Sequence, residues 1–453
     1  MTINEFAPSP RVTHIPPGVA DYFWAEAGER RALEHALLDL CRRWGYGDVT
    51  PPTFEYADVL SARANAELQA EMYRFPDRDG SILALRPDMT IAVARLAGTR
   101  LHDWPMPQRF CYAGSVFRYT KLQAARQREF RQAGVELIGA GAPPADAEVL
   151  ALTAQALSLA GLDAFRLVLG QMAYFHGLLD DLALSPPHRQ LLLDAVDRNS
   201  EGDIQAFLHA AKLTSPQQQT IEALLSLSGA DFSAIIKRAE QLSLNDRMRQ
   251  AVENLRAICD ELAARNAADY LFIDLSEIYN LGYYTGITFE ALTPELGFPV
   301  ASGGRYDNLV GTFGAPQPAV GAALEIDRIL LARHMAESGP SRRRPVPPHV
   351  LVDAGGAAAC YALAARWREQ GFRIVTDVSG DDAEESLAER GRTLNAALTL
   401  RWHEGDFIAF EHDGEECVMS AQEVETRLAD LPDPARKSLR RPAAAHSPTG
   451  ESA

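Results

Sequence analysis

The sequence predicts an α+β protein: a sheet-bearing core, interrupted by a run of helices and followed by a small α/β domain. Three observations predict it. Residues from about 18 to 173 alternate strand-like and helical patterns, whereas residues from about 177 to 266 carry helical patterns alone. Strand patterns resume at YLFIDLSEI and continue to Arg328. A Pro- and Arg-rich stretch, ESGPSRRRPVPPH, then precedes a last segment with its own order of strands and helices. The expected divisions are 1–176 for the first part of the core, 177–266 for the helical insertion and 267–335 for the second part of the core. A linker over 336–348, a small α/β domain over 349–432 and a disordered tail over 433–453 complete the chain.

Each element has a local reason. ERRALEHALLDLCRRWG places apolar residues at three- and four-residue intervals and stops at Gly45, the signature of an amphipathic helix. PADAEVLALTAQALSLAGL reads as a second such helix, with Pro144 and Asp146 near its start and Gly161 at its end. FRLVLGQ is a short buried strand. RQLLLDAVDR, DIQAFLHAAKL, QQQTIEALLSL, DFSAIIKRAEQL and RMRQAVENLRAICDELAAR are successive amphipathic runs, and no strand pattern interrupts them. After the linker come VLVDAG, a helix over about 357–370, FRIVTDV, a second helix, ALTLRW, FIAFEH and a last helix.

Composition narrows the function classes. A chain of 453 residues implies two or three domains, each able to bury a core. Its longest apolar runs are too short or too interrupted to span a bilayer, and MTINEFAPSPRV does not read as a secretory signal. Five scattered cysteines without metal-ligand spacing fit a reducing cytoplasm and argue against a zinc site or a disulfide framework. A cytoplasmic protein with no metal and no cofactor is the expectation. The formal net charge of −17 lowers the prospect of tRNA binding, because nucleic-acid partners require clustered Lys and Arg.

The most informative stretch is RFCYAGSVFRYTKLQAARQREFRQAGVELIG, Arg109 to Gly139. An apolar strand ends at Phe117-Arg118, a turn rich in Lys, Gln and Arg follows, and a second strand returns. Guanidinium groups at the mouth of such a hairpin suit a triphosphate, since planar donors grip phosphate oxygens at two points. The order of residues resembles the second signature motif of class II aminoacyl-tRNA synthetases, specifically histidyl-tRNA synthetase. WGYGDVTPPTFE resembles the first motif, a strand entered through a helix, with Pro52 at its proline. EMYRFPDRDGSILALRPDMT resembles the family's hairpin and its LRPEGT-type turn, and NLGYYTGITFE its histidine-specific RGLDYY segment. SGGRYDNL and PAVGAALEIDRILL resemble the third motif, with Arg328 as its last arginine.

The resemblance implies a class II synthetase-like antiparallel sheet flanked by helices, with a histidine pocket beside an ATP trough. By motif, Asp88, Thr90 and Gln132 would surround the α-amino group, Glu136 would accept a hydrogen bond from the imidazole, and Tyr283 and Tyr284 would form the far wall. Arg118, Arg126 and Arg328 stand at positions that touch carboxylate or phosphate groups. Histidine binding is thus assigned to Asp88, Thr90, Arg118, Gln132, Glu136, Tyr283 and Tyr284, and a vestigial ATP trough to Arg126 and Arg328. Taken singly, each has a plainer structural reading: a Tyr-Tyr pair packs in a strand, Asp88 after Pro87 turns or caps the chain, and a strand glutamate faces solvent. Order and spacing carry the assignment.

The chain departs from the synthetase pattern where chemistry is done. Thr120 replaces an acidic residue, and Tyr279 replaces the arginine that bridges the histidine carboxylate and the α-phosphate. Losing a preorganised cation there costs roughly 10²–10³ in rate. Asn280 and Gly282 replace the glycine and aspartate of the same segment. Groups that recognise histidine persist, while groups that act on it are lost. That selection, with the opening IPPGVADYFWAEA, resembles a branch that does not charge tRNA, the regulatory subunits accompanying short-form ATP phosphoribosyltransferase. The branch implies a non-catalytic subunit for the first step of L-histidine biosynthesis, with the short catalytic subunit as partner and L-histidine as feedback effector. Self-dimerisation through the core is expected, and tRNA and membrane are not expected as partners. Two other readings stay open: a divergent histidyl-tRNA synthetase, and an enzyme joining an amino acid to something other than tRNA.

Overall fold

The computed structural model describes residues 14–120, 127–197, 200–211, 213–224, 226–276, 283–336, 347–378, 384–410 and 415–431. The chain divides into two compact units, 1–341 and 342–453.

The first unit is built on a nine-stranded sheet. Its strands lie in the order Gly47–Asp48, Gln108–Phe117, Glu129–Ile138, Ala319–Glu325, Ala301–Arg305, Ile287–Leu292, Arg166–Gln171, Leu271–Asp274 and Ser228–Gly229. The expected antiparallel sheet is found with one amendment. Gly47–Asp48 runs parallel to Gln108–Phe117, and Arg166–Gln171 runs parallel to Leu271–Asp274. Both parallel pairs join strands separated by long intervening chain, as parallel pairing requires.

Helix Trp24–Arg43 buries Leu33, Leu37, Leu40 and Cys41 at three- and four-residue spacing, and the chain leaves it through Gly45 at φ 86°. Helix Pro143–Leu159 differs from expectation, being buried on nearly every face rather than along one stripe. Its alanine-rich surface lets it pack against both the sheet and helix Asp246–Ala264. The segment WGYGDVTPPTFE is not one strand. It splits into Gly47–Asp48 in the main sheet and Phe54–Tyr56 in a separate three-stranded sheet with Ile82–Leu85 and Arg74–Pro76. Pro51 and Pro52 lie between the pieces and cannot donate to a ladder.

In the insertion, the helices Pro186–Asp197, Glu201–Ala210, Ser215–Leu224, Phe232–Gln241 and Asp246–Ala264 follow the amphipathic runs. The two-residue strand Ser228–Gly229 interrupts them and pairs with Leu271–Asp274, too short to leave a periodic signal. In the second unit, Ile374–Thr376, Val350–Asp353 and Leu398–His403 are parallel neighbours, and Asp406–Phe410 and Glu416–Met419 continue antiparallel. The last of these strands was not legible in the sequence. Trp367, Leu400, Phe407, Val424 and Leu428 are at the centre of this unit's core. Among the described residues, no helix is long and apolar enough to cross a membrane.

Candidate functional site

Strand Glu129–Ile138 lies between Gln108–Phe117 and Ala319–Glu325, antiparallel to both. Gln132 and Glu136 are four residues apart and therefore share one face. Their cross-strand partners are Glu325 and Gly321. These four positions organise the site.

Glu136 is fully buried. One carboxylate oxygen accepts from Thr90 Oγ1 at 2.8 Å and from Tyr112 OH at 3.1 Å, and the other accepts from Tyr306 OH. Space for the carboxylate comes from Gly321, where any Cβ would overlap it. Burial pushes the Glu136 carboxyl up to about 7, while the three hydroxyl donors and the nearby Asp88 act in opposite senses on it. The strand glutamate thus faces the interior, contrary to the usual habit of its residue type.

The LRPDMT turn delivers the next groups. Arg86 anchors it, donating from Nη1 to the Pro51 and Pro52 carbonyls at 2.8 and 3.2 Å and from Nε to Ser115 O at 2.8 Å. Gly114 leaves room for that guanidinium, which a Cβ would strike. Beyond the turn, the apolar run IAVARLAG forms helix Thr90–Thr99, burying Ile91, Ala92, Val93 and Ala94. Asp88 Oδ1 accepts from Ile91 N at 3.1 Å and so does cap the chain. Its Oδ2 is buried without a hydrogen-bond partner, as is Gln132 Oε1. Burial raises the Asp88 carboxyl, and the Arg118 charge opposes the rise.

Tyr283 and Tyr284 are buried but precede strand Ile287–Leu292 rather than lying in a strand. Their rings are 4.9 Å apart, and Tyr283 meets Tyr306 edge-on at 6.0 Å. The chain after them is pinned to SGGRYDNL: Thr285 N donates to Arg305 O at 2.8 Å, and Asp307 N donates to Thr285 Oγ1 at 3.0 Å. Burial raises both phenols, and both sense the Asp88 and Glu136 charges. Asp88, Thr90, Glu136, Tyr283 and Tyr284 therefore gather around one buried centre, with Gln132 four residues, roughly 13 Å, away along the strand of Glu136.

A cleft of about 280 Å³ adjoins this pocket, lined in part by Arg118, Thr120, Gln132, Glu325 and Arg328. Arg118 donates from Nε to Pro87 O at 2.7 Å and lies over Phe130 at 5.5 Å. Arg328 is held more firmly. It donates from Nη1 to Pro299 O at 2.8 Å, pairs through Nε with Glu325 Oε2 at 3.1 Å, and covers Phe298 at 5.0 Å. Thr120 Oγ1 is buried without a partner. Arg126, Tyr279, Asn280 and Gly282 lie outside the described residues. Among the described residues, no group of three His, Cys, Asp or Glu is placed to hold a metal ion.

Four residues of this site were missed by the sequence reading: Tyr112, Tyr306, Gly321 and Glu325. The only local signals were small residues opposite large ones, Gly134 across from Tyr112 and the PAVGAALE run across from Glu136. Chemically, the pocket offers open acceptors for an ammonium group and a hydroxyl-lined carboxylate for a ring nitrogen.

A family model described as "Histidyl-tRNA synthetase" matches residues 18–329. The ATP phosphoribosyltransferase regulatory subunit of Moorella thermoacetica is 38% identical over 388 residues, covering 86% of this chain and 97% of its own. That of Syntrophotalea carbinolica is 34% identical, covering 90% and 96%. A crystal structure from Bacillus halodurans C, titled an ATP phosphoribosyltransferase regulatory subunit/histidyl-tRNA synthetase, superposes with a TM-score of 0.74 at 27% identity, covering 84% and 97%. Histidyl-tRNA synthetase from Nostoc shares the fold, with a TM-score of 0.73 at 19% identity, covering 92% and 99%.

Proposed function

This chain belongs to the family of ATP phosphoribosyltransferase regulatory subunits, and on that premise we propose that it binds L-histidine around Glu136 and relays feedback inhibition to a short catalytic subunit. One observation carries the reading. Asp88 Oδ2 and Gln132 Oε1 are buried acceptors without partners, Asp88 close enough to Glu136 to act on its charge and Gln132 four residues along the same strand. A buried polar group left unpaired costs about 1–3 kcal/mol, so a site that keeps two of them is prepared for a donor from outside. The α-ammonium of an amino acid supplies that donor, with Arg118 beside its carboxylate and the imidazole facing Glu136 and the tyrosines. The subunit itself performs no chemistry, and it pairs with a second copy through its core.

Calorimetry on the purified chain tests the pocket. Histidine binds the parent, and Glu136→Ala weakens binding at least tenfold, as expected when a charge-assisted hydrogen bond worth about 1.5–3 kcal/mol is lost. Equal affinities would remove Glu136 from the site. Binding and relay are linked reciprocally. The short catalytic subunit alone is weakly active, the mixture is active, and histidine inhibits the mixture. Glu136→Ala or Tyr284→Ala complexes stay active yet resist histidine. Inhibition that survived those substitutions would place the sensor elsewhere. Histidine-dependent pyrophosphate exchange with ATP separates the synthetase reading: none is expected from the parent, and Tyr279→Arg alone should not restore it, because Thr120, Asn280 and Gly282 have departed from the synthetase pattern as well.

A further inference from the structure

We infer that Glu325 closes the cleft beside the pocket to nucleoside triphosphates, by holding within the protein the arginine that a phosphate would need. The inference rests on reading the neighbouring pocket as an amino-acid site and assigns a ligand class to the cleft next to it. Phosphate recognition by arginine uses a pair of guanidinium N–H groups presented together. In Arg328 the Nε is taken by Glu325, Nη1 by the Pro299 carbonyl, and one face by Phe298. The two charged side chains are only 20% and 11% exposed. Separating a buried pair leaves an uncompensated charge, so a phosphate competing for Arg328 must also leave Glu325 stranded.

The position of Glu325 is fixed by the sheet, not by a movable loop. Its N–H donates to Val300 O at 2.9 Å, and its cross-strand neighbour is Gln132. Burial raises the Glu325 carboxyl, and the charges of Arg328 and then of Arg118, the other described guanidinium of the cleft, oppose the rise. Glu325 thus sets an internal carboxylate against the cations that an external anion would seek. Glu67, Glu71 and Glu290 line the same cleft. Like charge across a small, partly closed volume is repulsive to a polyanion.

The test uses the full chain and a fluorescent ATP analogue with Mg²⁺, alongside histidine calorimetry on the same preparations. The parent shows no saturable nucleotide binding up to about 1 mM. Glu325→Gln, which keeps the shape and removes the charge, and Glu325→Ala both bind the analogue at least tenfold more tightly than the parent. Adding Arg328→Ala to Glu325→Gln abolishes the gain. Micromolar nucleotide binding by the parent overturns the inference. So does the absence of any gain in a Glu325→Gln variant that keeps the parent's circular dichroism and thermal unfolding midpoint. Failure of the parent to bind histidine would instead strike the reading of the pocket, whatever the nucleotide result.

Discussion

Pocket and cleft are built from the same two strands, four residues apart, and they treat charge in opposite ways. At the Glu136–Gly321 pair, a glycine makes room for a carboxylate, three hydroxyls satisfy it, and the nearby Asp88 Oδ2 is left open. At the Gln132–Glu325 pair, the strand supplies a carboxylate instead of a space, and the arginine that faces it is already engaged. Four residues of strand span roughly 13 Å, so the two ends are close yet separate in what they can hold. The difference teaches that loss of an activity need not leave an empty site. One end keeps a buried acceptor, Asp88 Oδ2, without a partner, while at the other a carboxylate and a carbonyl of the protein engage the arginine.

The strongest way to break this comparison is Gly321→Ala. Its Cβ would overlap the Glu136 carboxylate and force it out of its three-hydroxyl cradle. Overpacking of this kind costs about 1–3 kcal/mol of stability, and histidine affinity falls at least a hundredfold. Calorimetry and thermal unfolding measure both. Retained affinity would mean that the carboxylate does not need that place.

A pH series sharpens the comparison next. Burial holds the Glu136 carboxyl near 7, above its ordinary value of 4.5. Between those values the folded protein keeps a proton that the unfolded chain releases. The associated stability is therefore fully present below about 4.5 and is lost as pH rises through about 7, a change on the order of 3 kcal/mol. Unfolding of the parent and of Glu136→Gln across pH 4–8 should give a difference curve that slopes over this window and flattens above it. A curve flat throughout would show that the carboxyl titrates normally.

The smallest effect expected is that of Tyr306→Phe, which removes one donor and leaves the other two in place. A single hydrogen bond to a charged group is worth about 1.5–3 kcal/mol, and relaxation toward Thr90 and Tyr112 should bring the measured loss to the lower end. Histidine affinity falls severalfold, and the carboxyl titrates higher than in the parent. An unchanged titration would separate Tyr306 from the control of Glu136.

The legible part of the fold was the part written at short range. Helix Trp24–Arg43, the five insertion helices and the long hairpin of Gln108–Phe117 with Glu129–Ile138 follow from periodicity and end signals within their own residues. Ser228–Gly229 and Glu416–Met419 did not, because a strand of two to four residues has too few positions to show alternation. Burial of helix Pro143–Leu159 on nearly all sides depends on a second layer that its sequence does not contain.

By itself, then, the sequence determined the order of the elements, the motifs that place this chain in its family, and the residue types around Asp88, Thr90, Gln132, Glu136, Tyr283 and Tyr284. Only the tertiary structure decided how those groups are occupied. The three donors to Glu136 come from 24, 46 and 170 residues away, on a neighbouring strand, a helix start and the chain beyond another strand. Gly321 opens the space because strand register sets it opposite Glu136, and the same register sets Glu325, with its short-range partner Arg328, opposite Gln132. The physical reason is that cross-strand register fixes both partner and face. A one-residue slip would turn every one of these side chains to the other side of the sheet.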